Sequence, residues 1–290
     1  MPTKIEKDAL SGVETTGHEW DGVKELNNPL PKWWLYLLYL TIAFAAVWVV
    51  LYPAFPFRGA TGLTGWVARE AVQGDVAAAQ AKMEPMLARI RNATPEQVAA
   101  DPELRGFAMA GGRQAFANNC AGCHGAGGQG APGGFPSLAD DDWIWGGSHD
   151  AIRQTVAHGI RTADSEEARS SQMPRFLADG MLTRAQIGDV AEHVLSLTGR
   201  ATDAAAAGRG AALYADNCAS CHGDRGEGNR DFGAVRLNDR VWLYGGDKAS
   251  IVQSISFARA GVMPAWGQRL DPAVVNMLTV YVHALGGGEK

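Results

Sequence analysis

A short motif that occurs twice constrains this chain more than any other feature. The motif is Cys-x-x-Cys-His, and its neighbours recur with it: Asn-Cys-Ala-Gly-Cys-His-Gly at 119–125 returns as Asn-Cys-Ala-Ser-Cys-His-Gly at 217–223. All 4 cysteines of the 290-residue sequence lie in these motifs, so none is left for a disulfide framework. The motif residues are Cys120, Cys123, His124, Cys218, Cys221 and His222.

Cys-x-x-Cys-His is the attachment signature of c-type haem. On one helical turn the two cysteines fall on the same side, where their thiols can add to the two vinyl groups of a single porphyrin. The next residue, a histidine, then lies beneath the iron and binds it through a neutral imidazole nitrogen. The two motifs therefore predict two covalently bound haem c groups, with His124 and His222 as iron ligands.

Two other uses of paired cysteines fit this sequence less well. Four thiolates could hold a zinc ion, but each pair has its own histidine at the same next position and lies in a separate repeat. A thioredoxin-like redox pair needs a βαβ pattern around it, which this sequence does not show. Haem attachment is the better interpretation of both motifs.

The similarity between the two halves extends beyond the motifs. Leu-Ala-Asp-Asp-Asp-Trp-Ile-Trp-Gly-Gly at 138–147 returns as Leu-Asn-Asp-Arg-Val-Trp-Leu-Tyr-Gly-Gly at 237–246. The repeats predict two cytochrome c domains in tandem, residues 107–199 and residues 200–290. Each is short for a self-sufficient core, so we expect the cofactor to complete it.

Each half also ends in an amphipathic helix pattern, at 183–197 and at 271–285. The first copy has about nine additional residues near 163–171, which read as a charged loop. The Ala-rich stretch 201–207 reads as a short linker. Before each motif, a glycine precedes an aromatic residue by four positions: Gly112 with Phe116, and Gly210 with Tyr214. This spacing suits a close crossing of the first and last helices.

Met173 and Met263 are the candidate sixth ligands, since both precede a proline at equivalent places in the repeat. A thioether suits low-spin haem and raises its reduction potential, whereas the other methionines are expected to fill gaps in cores. Ligation within each domain is simplest, but two facing domains could exchange their methionines. The competing scheme is bis-histidine ligation through a histidine without a counterpart in the other copy: His149, His158, His193 or His283.

Trp143 and Trp242 also match between the copies, each before a Gly-Gly pair. Their indole N–H groups could donate to haem propionates, or the rings could simply pack, and the sequence leaves both open. The acidic run at 140–142 could steer a basic donor protein or could be ordinary solvated surface. A net charge of −5 argues against a nucleic-acid partner.

Residues 33–52 predict a transmembrane anchor helix. They are apolar apart from Thr41 and interfacial aromatic residues, and a helix of that length spans roughly 30 Å of hydrocarbon. Pro53 and Pro56 should end it. A cleaved signal peptide fits poorly, because the preceding arm, 1–32, is long and acidic and the apolar run exceeds the usual ~7–15 residues.

The charges flanking the span predict its orientation. Four lysines precede it, against two arginines just after it, which favours a cytoplasmic arm and haem domains on the periplasmic side of the cell inner membrane. Residues 53–106 predict a helical spacer, with capping signals at Thr94 and Asp101. The flanking charges are Lys4, Lys7, Lys24 and Lys32, then Arg58 and Arg69.

The fold class that we predict is all-α: one N-terminal transmembrane helix followed by two tandem class I cytochrome c-like domains. This arrangement resembles the dihaem subunit, CcoP or FixP, of cbb3-type cytochrome c oxidases over nearly the whole length. The most specific element outside the motifs is Glu-Trp-Asp-Gly-Val-Lys-Glu-Leu-Asn-Asn-Pro-Leu-Pro-Lys-Trp-Trp at 19–34, which is similar to the family's N-terminal signature and has no role in holding haem.

The resemblance implies an electron-transfer subunit without substrate chemistry of its own. It implies a haem–copper catalytic subunit, a monohaem c-type subunit, a donor cytochrome c and membrane lipid as partners. Three alternatives remain: the cytochrome subunit of a membrane dehydrogenase, a dihaem peroxidase with one open iron, and a gas sensor with a five-coordinate haem. The resemblance carries over as haem contacts Cys120, Cys123, His124, Met173, Cys218, Cys221, His222 and Met263.

Overall fold

The computed structural model describes residues 4–52 and 62–289. Pro53, Pro56 and Arg58, together with the start of the predicted spacer, lie outside the described residues. Two compact units are present, Met1–Lys82 and Met83–Lys290. The elements are β1 (Thr15–Trp20), β2 (Val23–Leu26), α1 (Lys32–Leu51), α2 (Ala68–Asn92), α3 (Pro95–Ala100), α4 (Pro102–Asn119), α5 (Ala121–His124), α6 (His149–His158), α7 (Arg184–Ser196), α8 (Ala204–Asn217), α9 (Ala219–His222), α10 (Lys248–Phe257) and α11 (Pro272–His283).

The helical fold class is confirmed, with one addition in the N-terminal arm. Strands β1 and β2 form an antiparallel hairpin in which Trp20 pairs with Val23. Asp21 and Gly22 connect the strands with φ of 50° and 86°, as a type I′ turn requires at both of its central positions. The sequence contains the Asp-Gly pair that is typical of such a hairpin, but the predicted all-α fold did not include these strands.

Helix α1 matches the predicted anchor to within one residue at each end. None of its side chains is buried within the structure, and it is the one helix in the described part of the chain that is long and apolar enough to cross a membrane. Its C-terminal carbonyls are capped by residues further on: the backbone N–H of Leu63 donates to Val50, and Thr64 donates to Leu51 through its backbone N–H and its hydroxyl. The helix end thus has partners for its free carbonyl groups.

The cap signals of the second unit are confirmed. Thr94 and Thr183 each form a capping box with the glutamine three residues on. Asp101 and Asp271 cap α4 and α11, each with proline at the first helical position. Helix α4 runs across the boundary predicted at 106/107, so the end of the predicted spacer and the start of the first cytochrome copy are one helix.

The first and last helices of the two copies pair across the repeat. Helix α4, which begins copy 1, packs against α11, which ends copy 2, and α8, which begins copy 2, packs against α7, which ends copy 1. The two crossings match in detail. The ring of Phe116 lies 5.5 Å from that of Tyr281, and the ring of Tyr214 lies 5.0 Å from that of His193.

Glycines make both crossings close. A side chain at Gly112 would collide with the carbonyl oxygen of Met277 in α11, and one at Gly210 would collide with the carbonyl oxygen of Asp189 in α7. The sequence predicted close crossing at these glycines, and the structure confirms it, but between helices of different copies.

The hydrophobic cores follow this exchange. One core combines Phe116 and Ile152 of copy 1 with Leu278 and Val282 of copy 2. A second combines residues of α7 with α8 and α10. A third brings the end of the predicted spacer onto α11, where the side-chain amide of Asn276 donates to the carbonyl of Ile90 at 3.0 Å.

A buried carboxylate ties the linker between the copies to copy 1. Glu192 in α7 has no exposed surface. It accepts hydrogen bonds from the backbone N–H and hydroxyl of Thr202 and from the backbone N–H of Asp203, and Lys248 of α10 lies 2.7 Å from it. Every side of this buried charge therefore has a donor, as a buried carboxylate needs.

The crossing at Gly210 can be tested with a matched pair in one helix. We expect Gly210→Ala to destabilise the protein by about 1–3 kcal/mol, because the added methyl group forces α7 and α8 apart. Gly208 of the same helix has open space around it, so Gly208→Ala should stabilise the fold by about 0.5–1 kcal/mol. Thermal unfolding followed by circular dichroism measures both; equal effects of the two substitutions would contradict the close crossing.

Glu192 also predicts an acid sensitivity. Hydrogen bonds from Lys248 and then Thr202 lower its pKa to about 2 from an ordinary 4.5. A carboxyl whose pKa is lower in the folded state stabilises the fold above its ordinary pKa and loses that contribution as the pH falls. We expect the melting temperature to fall between pH 4.5 and pH 2 and Glu192→Gln to flatten this fall, while the exposed Glu166→Gln leaves it unchanged; a wild-type slope in the Glu192 variant would contradict the prediction.

Candidate functional site

Each Cys-x-x-Cys-His motif forms one short helical turn. Helix α5 starts after Cys120, whose carbonyl accepts from the backbone N–H of Cys123 at 3.1 Å and of His124 at 2.9 Å. Helix α9 repeats these bonds from Cys218. Gly125 and Gly223 end the turns with φ of 78° and 79°, a conformation that glycine adopts without strain. The two motifs are therefore local copies of one backbone.

The histidine side chains are held in the form that binds a metal. Nδ1 of His124 lies 3.0 Å from the carbonyl oxygen of Pro136, and Nδ1 of His222 lies 2.9 Å from that of Val235. A carbonyl only accepts, so Nδ1 carries the hydrogen and Nε2 keeps a free lone pair. Burial lowers the pKa of both imidazoles, and the hydrogen bond to the carbonyl opposes this effect only in part. The lowered pKa favours the neutral imidazole, which is the form that binds a metal.

The cysteines of each pair differ in exposure. Cys120 is partly buried and Cys218 is buried, and burial raises the pKa of both thiols to about 11, with a smaller contribution from the second cysteine of the motif. Cys123 and Cys221 are exposed. In the described ranges, no group of three or more His, Cys, Asp or Glu side chains is arranged to hold a metal ion, so the two pairs do not meet in a four-thiolate zinc site.

The candidate methionines lie with the opposite motif. Met263 of copy 2 exchanges two backbone hydrogen bonds of 3.0 Å with Ile160 of copy 1, and it packs against the same core cluster as Cys120 and Trp143. Met173 of copy 1 packs against the cluster that contains Cys218. Of the two arrangements that the sequence left open, this packing favours the exchanged one, and ligation by either methionine stays a prediction.

The histidines of the bis-histidine alternative have other contacts. His149 stacks on His283 with ring centroids 3.8 Å apart. His158 lies 3.1 Å from the Ser165 hydroxyl and 3.4 Å from the Glu167 carboxylate, both in the extra loop of copy 1. His193 packs on the aromatic ring of α8 at the helix crossing. These contacts favour structural roles for His158, His193 and His283, whereas Nε2 of His149 is buried and has no hydrogen-bond partner among the described residues.

The two equivalent tryptophans differ in their hydrogen bonds. The indole N–H of Trp143 donates to the carbonyl of Gly287 at 3.0 Å. The indole N–H of Trp242 is buried and has no partner among the residues that the structure describes. A buried donor without a partner is costly, so an acceptor outside the polypeptide is expected at Trp242, and a haem propionate fits it. Gly147 and Gly246 lie against the two rings, where a side chain would collide.

The acidic run of copy 1 is more than solvated surface at one position. Burial raises the pKa of Asp142, and the neighbouring Asp239 and Asp140 raise it further. Asp142 lines an open groove of about 330 Å³ together with Arg230 and Arg236 of copy 2. Docking of a donor protein at this run stays a prediction.

Two Cys-x-x-Cys-His turns in a helical fold, each with an oriented imidazole and a methionine in the adjoining core, define a c-type cytochrome. Family models agree with this class: residues 109–198 match cytochrome c, residues 205–282 match cytochrome c oxidase, cbb3-type, subunit III, and residues 12–58 match the N-terminal domain of cytochrome oxidase-cbb3, FixP.

Relatives match over the full length. The chain is 54% identical to the cbb3-type cytochrome c oxidase subunit CcoP of Azospirillum brasilense, with 98% of this chain and 99% of the relative covered. It is 50% identical to the subunit FixP of Azorhizobium caulinodans, with coverage of 97% and 96%, and 47% identical to CcoP of Cereibacter sphaeroides, with 100% of both covered.

The chain therefore belongs to the CcoP/FixP family of cbb3-type cytochrome c oxidase subunits. It is a haem c electron-transfer subunit of that oxidase. The predicted family, helical fold and electron-transfer function are confirmed. The match at 12–58 covers the arm on which the resemblance was based, and this separates the chain from the cytochrome subunits of membrane dehydrogenases.

Proposed function

We propose that this chain carries two covalently bound haem c groups and relays electrons from a donor cytochrome c to the haem–copper catalytic subunit of its oxidase. The observation that carries the proposal is the duplicated turn with a Nδ1–H bond to a backbone carbonyl at 3.0 and 2.9 Å. Two such turns give two imidazoles with a free Nε2, each beside two thiols, which is what attachment of two haems needs.

The residues present fit the group they would hold. Cys120 and Cys123 would form thioether bonds to one haem, with His124 below its iron, and Cys218, Cys221 and His222 would hold the other in the same way. The orphaned indole N–H of Trp242 offers a donor to a propionate. When bound, haem iron supplies one-electron redox chemistry, and its potential depends on axial ligation, burial and neighbouring charge.

The sixth ligands that we propose are exchanged between the copies. Met263 would complete the iron at His124, and Met173 the iron at His222. The support is the packing of each methionine beside the opposite motif and the paired backbone bonds between Met263 and Ile160. A thioether raises the potential relative to a second imidazole and closes the iron to exogenous ligands. Equivalent methionines at both sites also argue against a peroxidase or a gas sensor, which need an open iron.

The protein's own groups perform the remaining work. The backbone carbonyls of Pro136 and Val235 orient the imidazoles and keep Nδ1 protonated. The apolar cores around Phe116 and Tyr214 keep water from the iron sites, which limits the reorganisation that accompanies each electron. No proton transfer by a side chain is needed.

We further propose that the arm is cytoplasmic and the haem domains periplasmic. The excess of lysines before α1 supports this orientation, and α1 would lie in lipid. The monohaem subunit of the oxidase and a donor cytochrome would then approach from the periplasmic side.

The number of haems can be tested by mass. The denatured wild-type chain should carry two haem mass increments, and Cys120→Ser/Cys123→Ser and Cys218→Ser/Cys221→Ser should each lose one, because only thioether bonds survive denaturation. Intact mass spectrometry with a haem stain after gel electrophoresis gives the count. A wild-type chain with one increment or none would contradict the proposal.

The methionine ligands can be tested by redox titration of the full chain. Met173→Leu and Met263→Leu should each lower one reduction potential, changing that equilibrium constant at least tenfold, or about 59 mV for one electron. Each reduced variant should also bind carbon monoxide at one iron. Met181→Leu, at an exposed position, is the control and should change neither potential; unchanged potentials in both ligand variants would place the sixth ligands elsewhere.

A further inference from the structure

Three arginines near the junction of the two copies have no acidic partner. The ion pairs found in the described ranges do not include Arg161, Arg169 or Arg259. All three are partly buried, and their hydrogen bonds go to carbonyl, hydroxyl and amide oxygens without charge. Partly buried cations without a counter-charge are costly, so these three side chains are suited to an anionic partner.

Arg169 and Arg259 occupy equivalent positions although they do not align in sequence. A terminal nitrogen of Arg169 donates to the carbonyl of Ala151, the third residue of α6, and one of Arg259 donates to the carbonyl of Ser250, the third residue of α10. Their guanidinium groups lie over equivalent rings, 5.3 Å from the centroid of Trp145 and 4.9 Å from that of Tyr244.

The origin of the two side chains gives the extra loop a role. Arg259 follows the end of α10 directly, whereas Arg169 comes from the insertion that copy 2 lacks. The insertion returns to the end of α6, where the backbone N–H of Arg169 donates to the carbonyl of Gly159 at 3.1 Å. The insertion thus places an arginine in copy 1 at the position that Arg259 occupies in copy 2, which has no insertion.

Arg161 joins the two copies. It is held at φ 51°, a left-handed conformation that is uncommon outside glycine. Its Nε donates to the carbonyl of Gly261 in copy 2 at 2.8 Å, and a terminal nitrogen donates to the carbonyl of Ser171 in copy 1 at 3.1 Å. The Ser171 hydroxyl in turn donates to the carbonyl of Phe232 in copy 2.

Arg169 is also close to an iron-ligand candidate. Ile160 pairs with Met263 on one side and with Arg169 on the other, so Arg169 lies one extended segment away from the methionine. The Nε of Arg169 is buried and has no partner in the part of the chain that is described. A buried guanidinium donor of this kind, one segment away from a candidate iron ligand, is suited to a carboxylate.

We propose that Arg161, Arg169 and Arg259 form one cationic site for the propionate carboxylates of the two haems. Arg169 serves the haem attached at Cys120 and Cys123, Arg259 serves the other haem, and Arg161 acts on both. The site rests on the proposed function, because it needs both haems in place. A reduced haem carries one positive charge fewer than an oxidised one, so this fixed positive charge favours reduction and raises both potentials.

The test is a redox titration of the full chain in detergent, in a buffer without phosphate. Arg169→Gln and Arg259→Gln should each lower a different one of the two potentials, and Arg161→Gln should lower both, by about tenfold in the reduction equilibrium, or 59 mV. Arg169→Lys keeps the charge and should stay within about threefold of wild type, whereas a purely structural role predicts that it behaves like Arg169→Gln. The two cysteine double variants, each of which keeps one identified haem, assign each potential to its haem.

Arg269→Gln is the matched control. It removes the same charge from an arginine that pairs with Asp164 of the same insertion at 2.8 Å and lies over Trp266, and it should change neither potential. If Arg169→Gln does not accumulate, Arg169→Met, which keeps an apolar stem against Trp145, carries the same prediction.

The outcomes separate this inference from the proposed function. Chains that keep two haems and methionine-ligated spectra but show wild-type potentials in the glutamine variants would overturn the arginine site alone. A potential that depends on added phosphate, with the dependence lost in the variants, would assign the site to a free anion and also overturn it. A chain without two haem mass increments would instead overturn the proposed function.

Discussion

The pairing of α4 with α11 and of α7 with α8 is the contact on which the rest of the structure depends. Gly112 and Gly210 let these helices approach closely enough for the backbone of one helix to meet the backbone of the other. Because each pair takes one helix from each copy, neither copy closes its own core. The two halves are therefore one folding unit, and a domain too small to be stable alone is completed by its duplicate as well as by its cofactor.

The exchange also accounts for where the two candidate methionines lie. A chain that leaves copy 1 through α7 has already crossed to the core that holds Cys218, so the methionine just before α7 is carried there with it. The same holds for Met263 before α11. The two copies also meet at Ile160, which exchanges backbone hydrogen bonds with Met263, and at Arg161, whose side chain donates to the carbonyl of Gly261.

The helix caps, the motif turns and the membrane-anchor helix could be predicted from the sequence because each depends on a local pattern of residues. The motif turns, the caps at Thr94 and Thr183 and the apolar span each depend on residues within a few positions of one another. The pairing of helices depends on residues far apart in the sequence. Gly112 predicts a close helix crossing, but each of the two copies ends in a similar helix. The spacing of residues does not show which of these two helices Gly112 contacts. The hydrogen bond of Trp143 could not be predicted for the same reason, because its acceptor, the carbonyl of Gly287, lies 144 residues further along the sequence.

The exchanged ligation is tested most directly in a chain with one haem. In Cys218→Ser/Cys221→Ser, the haem at Cys120 and Cys123 remains, and a redox titration then reports a single potential. Our account predicts that adding Met263→Leu lowers this potential and opens the iron to carbon monoxide, while adding Met173→Leu leaves both unchanged. The reverse result, with Met173 controlling the haem of its own copy, would contradict it.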